Sequence, residues 1–216
     1  NRKQILVTGA SRGIGKSLRY PFAKRGMACI FKTAANPSVN CRLLLIFITK
    51  GNLGSCEILT GDVGVPSEVG RIFDQIEMSG SGLDVLINNA GIAWMGLLTD
   101  MSIEEWNRMI PLTFLPHFTA AAQHFLHDPS ESGTYHQYFF DVGTVGASCE
   151  VAYSATKSGL NGLTRALAKE LAPSNIQVNA IAVGVIDTVM NDLLDAEEKA
   201  ALAEEIPAGR FRDTRR

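Results

Sequence analysis

Ile5-Leu6-Val7-Thr8-Gly9-Ala10-Ser11-Arg12-Gly13-Ile14-Gly15 is the stretch on which the fold turns. Three consecutive apolar residues closed by Thr8-Gly9 make a short, buried strand. From Gly13 to Gly26 the pattern changes to a helix, with Leu18, Phe22 and Ala23 on one face. Pro21 lies inside that helix and predicts a kink or an early end there. Between strand and helix the glycines permit a tight turn, over which the backbone N–H groups and the positive end of the helix can face a phosphate. A plain Gly-rich turn would have the same composition, so the reading depends on what surrounds it.

Outward from that turn the chain alternates short apolar runs with longer helical stretches. Strands are predicted at Ala28–Lys32, Glu57–Thr60, Leu83–Ile87, Thr134–Phe140 and Ile176–Ala182. Helices are predicted at Pro66–Met78, from Ser102 (with Glu105 at capping-box spacing), over Thr113–His127, over Tyr153–Leu171 and over Asn191–Glu205. The helix from Tyr153 carries Leu160, Leu163, Leu167 and Leu171 along one face. Strand and helix in alternation imply one doubly wound parallel sheet covered on both faces, an α/β domain spanning residues 1–216. The block Cys41–Lys50 has no amphipathic period and reads either as an extra strand or as a buried helix.

Composition narrows the function. The 216 residues carry a net charge of −2, which argues against a protein that binds nucleic acid by neutralising phosphates. The longest strictly apolar run, Leu43–Ile48, is far short of the ~18 residues of a membrane span, and no signal peptide is read at the N-terminus. Cys29, Cys41, Cys56 and Cys149 are scattered and read as reduced thiols of a cytoplasmic protein. His117, His124 and His127 share a predicted helix, but no nearby carboxylate or thiol completes a metal set, and no metal is expected. Arg210, Arg212, Arg215 and Arg216 read as a solvated end, with docking of an acidic carrier protein as the sharper alternative.

Cofactor and chemistry follow from charge and spacing. A carboxylate ending the second strand would bond a ribose 2′-hydroxyl and repel a 2′-phosphate. That strand ends Phe31-Lys32-Thr33-Ala34, with no acid, while Arg12 lies in the turn and Lys32 is near. NADP is therefore expected over NAD, although Lys32 also suits a solvated strand end. Tyr153 and Lys157 stand at i and i+4 on one helix face. A cation beside a phenol favours phenolate, so the pair predicts a pKa lowered from ~10 and a tyrosine able to pass a proton to a ketone oxygen. An ordinary helix-surface pair would have the same spacing.

The Gly turn, Asn88-Asn89-Ala90-Gly91 after the fourth strand, and Tyr153-x-x-x-Lys157 occur in the order that resembles the short-chain dehydrogenase/reductase family. The likeness is greatest to its β-ketoacyl-acyl-carrier-protein reductase branch, through Gly91–Ile110, Arg165–Met190 and Ile206-Pro207-Ala208-Gly209-Arg210-Phe211. It covers nearly the whole chain except Ala34–Ser55. The resemblance implies a Rossmann-type fold and NADPH-dependent reduction of a ketone, a small-molecule or carrier-bound acyl substrate, by a cytoplasmic homotetramer. Gly159 and Gly162 are expected to let a second copy's helix approach. By the same resemblance Gly9, Ser11, Arg12, Gly13, Ile14 and Gly15 would hold the phosphates and adenosine ribose. Asp62 and Val63 would contact adenine, and Asn89, Ala90 and Gly91 the adenosine side and the central strand. Tyr153 would be the acid/base, Lys157 would bind the nicotinamide ribose, and Gly184, Ile186 and Thr188 would flank the nicotinamide amide and phosphates.

Three positions depart from the family pattern. Phe140 falls where a carbonyl-polarising serine is usual, Thr113 where the helix asparagine of a proton relay is usual, and Val183 where a proline is usual. Thr144 is the fallback for the serine. Ending at Arg216, the chain is expected to lack the family's last strand. These departures leave a dinucleotide-binding protein with little turnover as an alternative, and a different carbonyl or alcohol substrate as another.

Overall fold

The computed structural model describes residues 3–33, 55–78, 83–114, 134–140, 142–188, 191 and 194–213. Of residues 31–33, 134–140, 142 and 143 it describes the main chain alone. The main sheet is built from β1 (Gln4–Thr8), β2 (Ala28–Thr33), β3 (Cys56–Thr60), β4 (Val85–Asn88), β5 (Thr134–Phe140) and β6 (Gln177–Val183). Its order is β3-β2-β1-β4-β5-β6, and every neighbouring pair is parallel. Leu6 on β1 is in register with Ile30 on β2 and with Leu86 on β4.

The helices are α1 (Gly13–Lys24), α2 (Pro66–Met78), α3 (Ile103–Thr113), the short α4 (Val142–Val145), α5 (Val151–Leu171) and α6 (Ala196–Glu205). β7 (Ile186–Asp187) and β8 (Arg212–Asp213) form a separate parallel pair. Alternation along β1 sends Leu6 to one face, where Ile72, Phe73 and Ile76 of α2 and Leu167 and Leu171 of α5 cover it. Ile5 and Val7 go to the other face, against Leu18 and Phe22 of α1. All five residues of β1 are buried, as a central parallel strand requires. Sequence direction reverses between β1 and β4, so the segments leaving those two strands diverge at the carboxyl edge, the usual place for a ligand in this architecture.

Several expectations shift at the element ends. α1 runs through Pro21 without ending there and stops at Lys24. The helix opened by Ser102 does have its capping box, with Ser102 Oγ accepting the Glu105 N–H, and it reaches Thr113 despite Pro111. Thr113 is therefore its last residue and not the start of a new helix; the rest of the expected Thr113–His127 helix lies outside the described residues, as do Cys41–Lys50 and the three histidines. α5 begins two residues before Tyr153. α6 begins at Ala196 and not Asn191, because Asp195 and Glu198 form a capping box that fixes its first turn. Gly159 is covered by the chain itself: a Cβ there would lie 3.0 Å from the ring of Phe114, whereas over Gly162 there is nothing within 4 Å. Burial pushes the Cys29 thiol up to about 11, which leaves it inert.

Candidate active site

The Gly turn is clamped from below by β4. Thr8 Oγ1 accepts the N–H groups of Asn89 and Ala90, each at 3.0 Å. The Asn89 side-chain Nδ2 donates back to the carbonyls of Thr8 (3.1 Å) and Gly9 (3.3 Å). Glycine is required for this approach. A Cβ on Gly9, whose φ is +65°, would lie 2.8 Å from Ala90 Cα; one on Gly15 would lie 2.5 Å from Asn89 Nδ2 and 2.6 Å from the Gly9 carbonyl oxygen. The Asn89 Nδ2 is thus spent on holding the turn. Thr8 is the functional residue that the sequence reading passed over; a polar residue ending an otherwise apolar strand was its only signal.

Above the turn, α1 presents its N-terminus open. Arg12 is the exposed N-cap, its side chain makes no capping bond, and the first turn contains no acid. The N–H groups there are free of side-chain caps and the local charge is positive, which fits a pyrophosphate. Thr188 comes to the same place: its Cγ2 would be 3.5 Å from a Cβ on Gly13. The segment carrying it is tied down by Asn191 Nδ2 donating to the Ile186 carbonyl (2.8 Å) and Arg212 N–H donating to the Val185 carbonyl (3.1 Å). Gly184 is exposed with nothing within 4 Å of a Cβ, and Ile186 is half-buried.

On the loop after β3, Asp62 Oδ1 accepts the Gly64 N–H (2.8 Å), and the Asp62 N–H donates to Glu68 Oε2 (2.6 Å). Val63 packs against the core. The Asp62 carboxylate thus shapes its own loop, and its backbone neighbour Val63 is half-buried. Ser11, Ile14, Ala90 and Gly91 are all half-buried around the turn and the end of β4.

Tyr153 and Lys157 come together at the start of α5. Each is 4% exposed, and Lys157 Nζ stands over the phenol ring, 5.2 Å from its centroid. Tyr153 packs with Met109 and Ala152 among Ile92, Trp94, Trp106 and Ile110. The amine also reaches the end of β4: it would be 3.9 Å from a Cβ on Gly91. Burial lowers the Lys157 pKa to about 8. Burial, and after it the negative charge of Glu150, pushes the Tyr153 phenol well above its ordinary value. The expected lowering is therefore reversed. Spacing places the cation near the phenol, but desolvation of both groups outweighs an amine that lies over the ring face.

Thr113 sits beside this pair, fully buried. Its Oγ1 donates to the Ile92 carbonyl (2.9 Å) and accepts the Ile92 N–H (3.2 Å), so the hydroxyl is committed to the main chain. Thr144 is exposed on α4, while Phe140 ends β5 with its side chain outside the described residues. Among the described residues no group of three His, Cys, Asp or Glu could hold a metal, and no helix is long and apolar enough to cross a membrane.

Comparison with known proteins agrees with this geometry. The sequence pattern of the short chain dehydrogenases matches residues 3–199. A 3-oxoacyl-acyl-carrier-protein reductase of Vibrio cholerae is 33% identical over 99% of this chain and 85% of its own length. Among solved structures, a dehydrogenase/reductase from Sinorhizobium meliloti superposes with a TM-score of 0.89 at 26% identity, covering 99% of this chain and 83% of that one. A variant actinorhodin polyketide ketoreductase with NADPH superposes with a TM-score of 0.87 at 25% identity, over 99% of this chain and 86% of that one. With its parallel sheet, its clamped Gly turn and its buried Tyr153–Lys157 pair, the chain belongs to the short chain dehydrogenase family of oxidoreductases.

Proposed function

We propose that this chain is a single-domain, NADPH-dependent ketoreductase that converts a β-ketoacyl thioester, free or carrier-bound, to the hydroxy compound, and that it works as a cytoplasmic homotetramer. The observation that carries the reading is the buried Tyr153–Lys157 pair at the carboxyl edge of the sheet. A phenol whose pKa is held high stays protonated at neutral pH, which is the form that donates to a ketone oxygen. The similarity to a 3-oxoacyl-acyl-carrier-protein reductase supports the substrate class, and the open surface over Gly162 leaves room for a second copy.

When bound, the nicotinamide supplies the hydride. The chain's own residues do the rest: the α1 N-terminus and Arg12 hold the phosphates, and Asn89 and Thr8 keep the turn in shape. Tyr153 Oη gives its proton to the carbonyl oxygen. The Lys157 ammonium, close behind the ring, stabilises the phenolate left by that transfer. Following NADPH absorbance with a β-ketoacyl thioester, next to a cofactor-binding titration, tests the proposal; steady turnover is expected, and binding without turnover would overturn it.

Binding without turnover would also establish the second reading, a dinucleotide-binding protein of the same fold. One observation favours it: Thr113 Oγ1 makes both of its bonds to Ile92, at the position where the resemblance places a relay asparagine.

Cofactor preference gives an expected result of its own. NADPH should bind more tightly than NADH, because Arg12 stands exposed beside the turn and offers a 2′-phosphate a charged partner. Arg12→Ala should narrow the difference by about tenfold. Titration of both cofactors at one salt concentration measures this, and tighter binding of NADH by the parent chain would reverse the assignment.

A further inference from the structure

Two cysteines that are far apart in the sequence become neighbours in the sheet. Cys29 on β2 and Cys56 on β3 are register partners in adjacent parallel strands. The Cys29 N–H donates to the Ser55 carbonyl at 2.9 Å, which fixes the register at the pair itself. Both side chains lie on one face: Cys29 belongs to the apolar cluster of Ile5, Val7 and Ile87, and Cys56 packs against that same cluster. Leu59, three residues along β3, lies in the cluster on the opposite face, as alternation requires. Neighbouring strands run about 4.8 Å apart, inside the roughly 4.4–6.8 Å between Cα atoms that a disulfide spans. Among the described residues β3 is the outer strand and pairs with β2 alone, so it can yield the small shift that joining two sulfurs needs. The two thiols differ in access. Cys29 is 1% exposed and its Sγ donates to the Met27 carbonyl at 3.7 Å, whereas Cys56, first in its strand, is half-buried.

We propose that Cys29 and Cys56 form a redox-modification site, at which a low-molecular-weight disulfide such as glutathione disulfide converts the two thiols into a disulfide that ties the outer strand to the sheet. The Cys56 thiolate attacks one sulfur of the small disulfide, whose S–S bond breaks and releases one small thiol. Cys29 then loses its proton and attacks the Cys56 sulfur; the mixed disulfide breaks and the second small thiol leaves. The two departing thiolates take up the protons that the cysteines gave. Two protein thiols are oxidised and one small disulfide is reduced. Burial, which raises the Cys29 thiol to about 11, makes it inert towards reagents in solution, but its target here is held on the adjacent strand. A thiolate of high pKa is also the stronger nucleophile once formed and the poorer leaving group afterwards, so the closed bond resists reduction. Cys29 is second in β2 and Cys56 first in β3, at the amino edge of the sheet and away from the candidate active site.

The test uses the full chain carrying Cys41→Ser and Cys149→Ser, which leaves Cys29 and Cys56 as its only cysteines. The folded protein is incubated with glutathione disulfide, quenched in acid, unfolded, alkylated and mapped by digestion and mass spectrometry; the parent chain, mapped alongside, needs no substitution. The expected product is a Cys29–Cys56 cross-linked peptide with no glutathione retained and no thiol left to alkylate. Adding Cys29→Ala should stop the reaction halfway, with glutathione kept on Cys56. The oxidised chain should unfold in urea at a midpoint about 1 M higher, and dithiothreitol should return it to the reduced value. Glutathione that stays on Cys56 while Cys29 is present, two thiols that remain open to alkylation, or a urea midpoint that does not rise each overturn the proposal. None of these readings depends on turnover or on dinucleotide binding.

Discussion

Tyr153→Phe is expected to cut ketone reduction by ~10²–10⁴-fold and to leave NADPH binding nearly unchanged. The substitution removes one oxygen from a side chain that is otherwise packed against Met109 and Ala152, so the pocket keeps its shape. In the proposed function the cofactor is held elsewhere, at the Gly turn and the α1 N-terminus, so its affinity is not expected to follow the phenol. Lys157→Ala should behave differently and damage both properties, because the ammonium sits behind the phenol and also reaches the end of β4. Turnover followed by NADPH absorbance and a separate binding titration distinguish the two patterns. Full activity in Tyr153→Phe would remove the tyrosine from its role and leave a water or Thr144 to carry the proton.

The second large effect is structural. Gly15→Ala is expected to destabilise the fold by ~3 kcal/mol and to weaken dinucleotide binding with it. The added methyl would meet the Gly9 carbonyl oxygen at 2.6 Å and the Asn89 amide at 2.5 Å, and neither is the loose end of a flexible side chain. Relief requires α1 to move away from β1 or the Asn89 clamp to open, and either displaces the N–H groups over the turn. Gly162→Ala is the contrast within one chain: it is helical and a methyl there meets nothing of the chain itself, so the chain alone should gain ~1 kcal/mol of helix propensity. Denaturant unfolding of the two variants measures the contrast, and an unaltered midpoint for Gly15→Ala would contradict the clamp.

Much of the sheet could be read from period alone. Ile5-Leu6-Val7 and Leu83–Ile87 read as short buried strands, and their alternation with helices makes the pairing parallel. The Gly turn between β1 and α1 is likewise legible, since close approach leaves its mark as missing side chains. What a linear sequence does not carry is which polar groups are consumed internally. Asn89 and Thr113 have the chemistry of ligand-facing residues, but the fold turns the first onto the carbonyls of Thr8 and Gly9 and the second onto Ile92. Spacing also places Lys157 beside Tyr153 without saying how much water the pair has lost, and that loss decides the sign of the pKa shift. α6 begins five residues beyond Asn191, because the Asp195–Glu198 capping box sets its first turn and outweighs the Ala/Glu-rich composition that points to an earlier start.

The burial of Lys157 makes the chain a proton-coupled binder. With a folded pKa of about 8 against 10.5 in the open chain, the unfolded state takes up this proton first as pH falls. Stability from this group is therefore full above 10.5, declines between 10.5 and about 8, and stays at its reduced level below. A ligand that offers hydroxyl oxygens to Nζ restores the ammonium's lost solvation and raises its pKa again. Such a ligand enters together with a fraction of a proton, and its affinity falls as pH rises through that same window. Calorimetric titration of dinucleotide in buffers of different ionisation enthalpy should accordingly show net proton uptake, greatest between pH 8 and 10.5 and vanishing in Lys157→Ala.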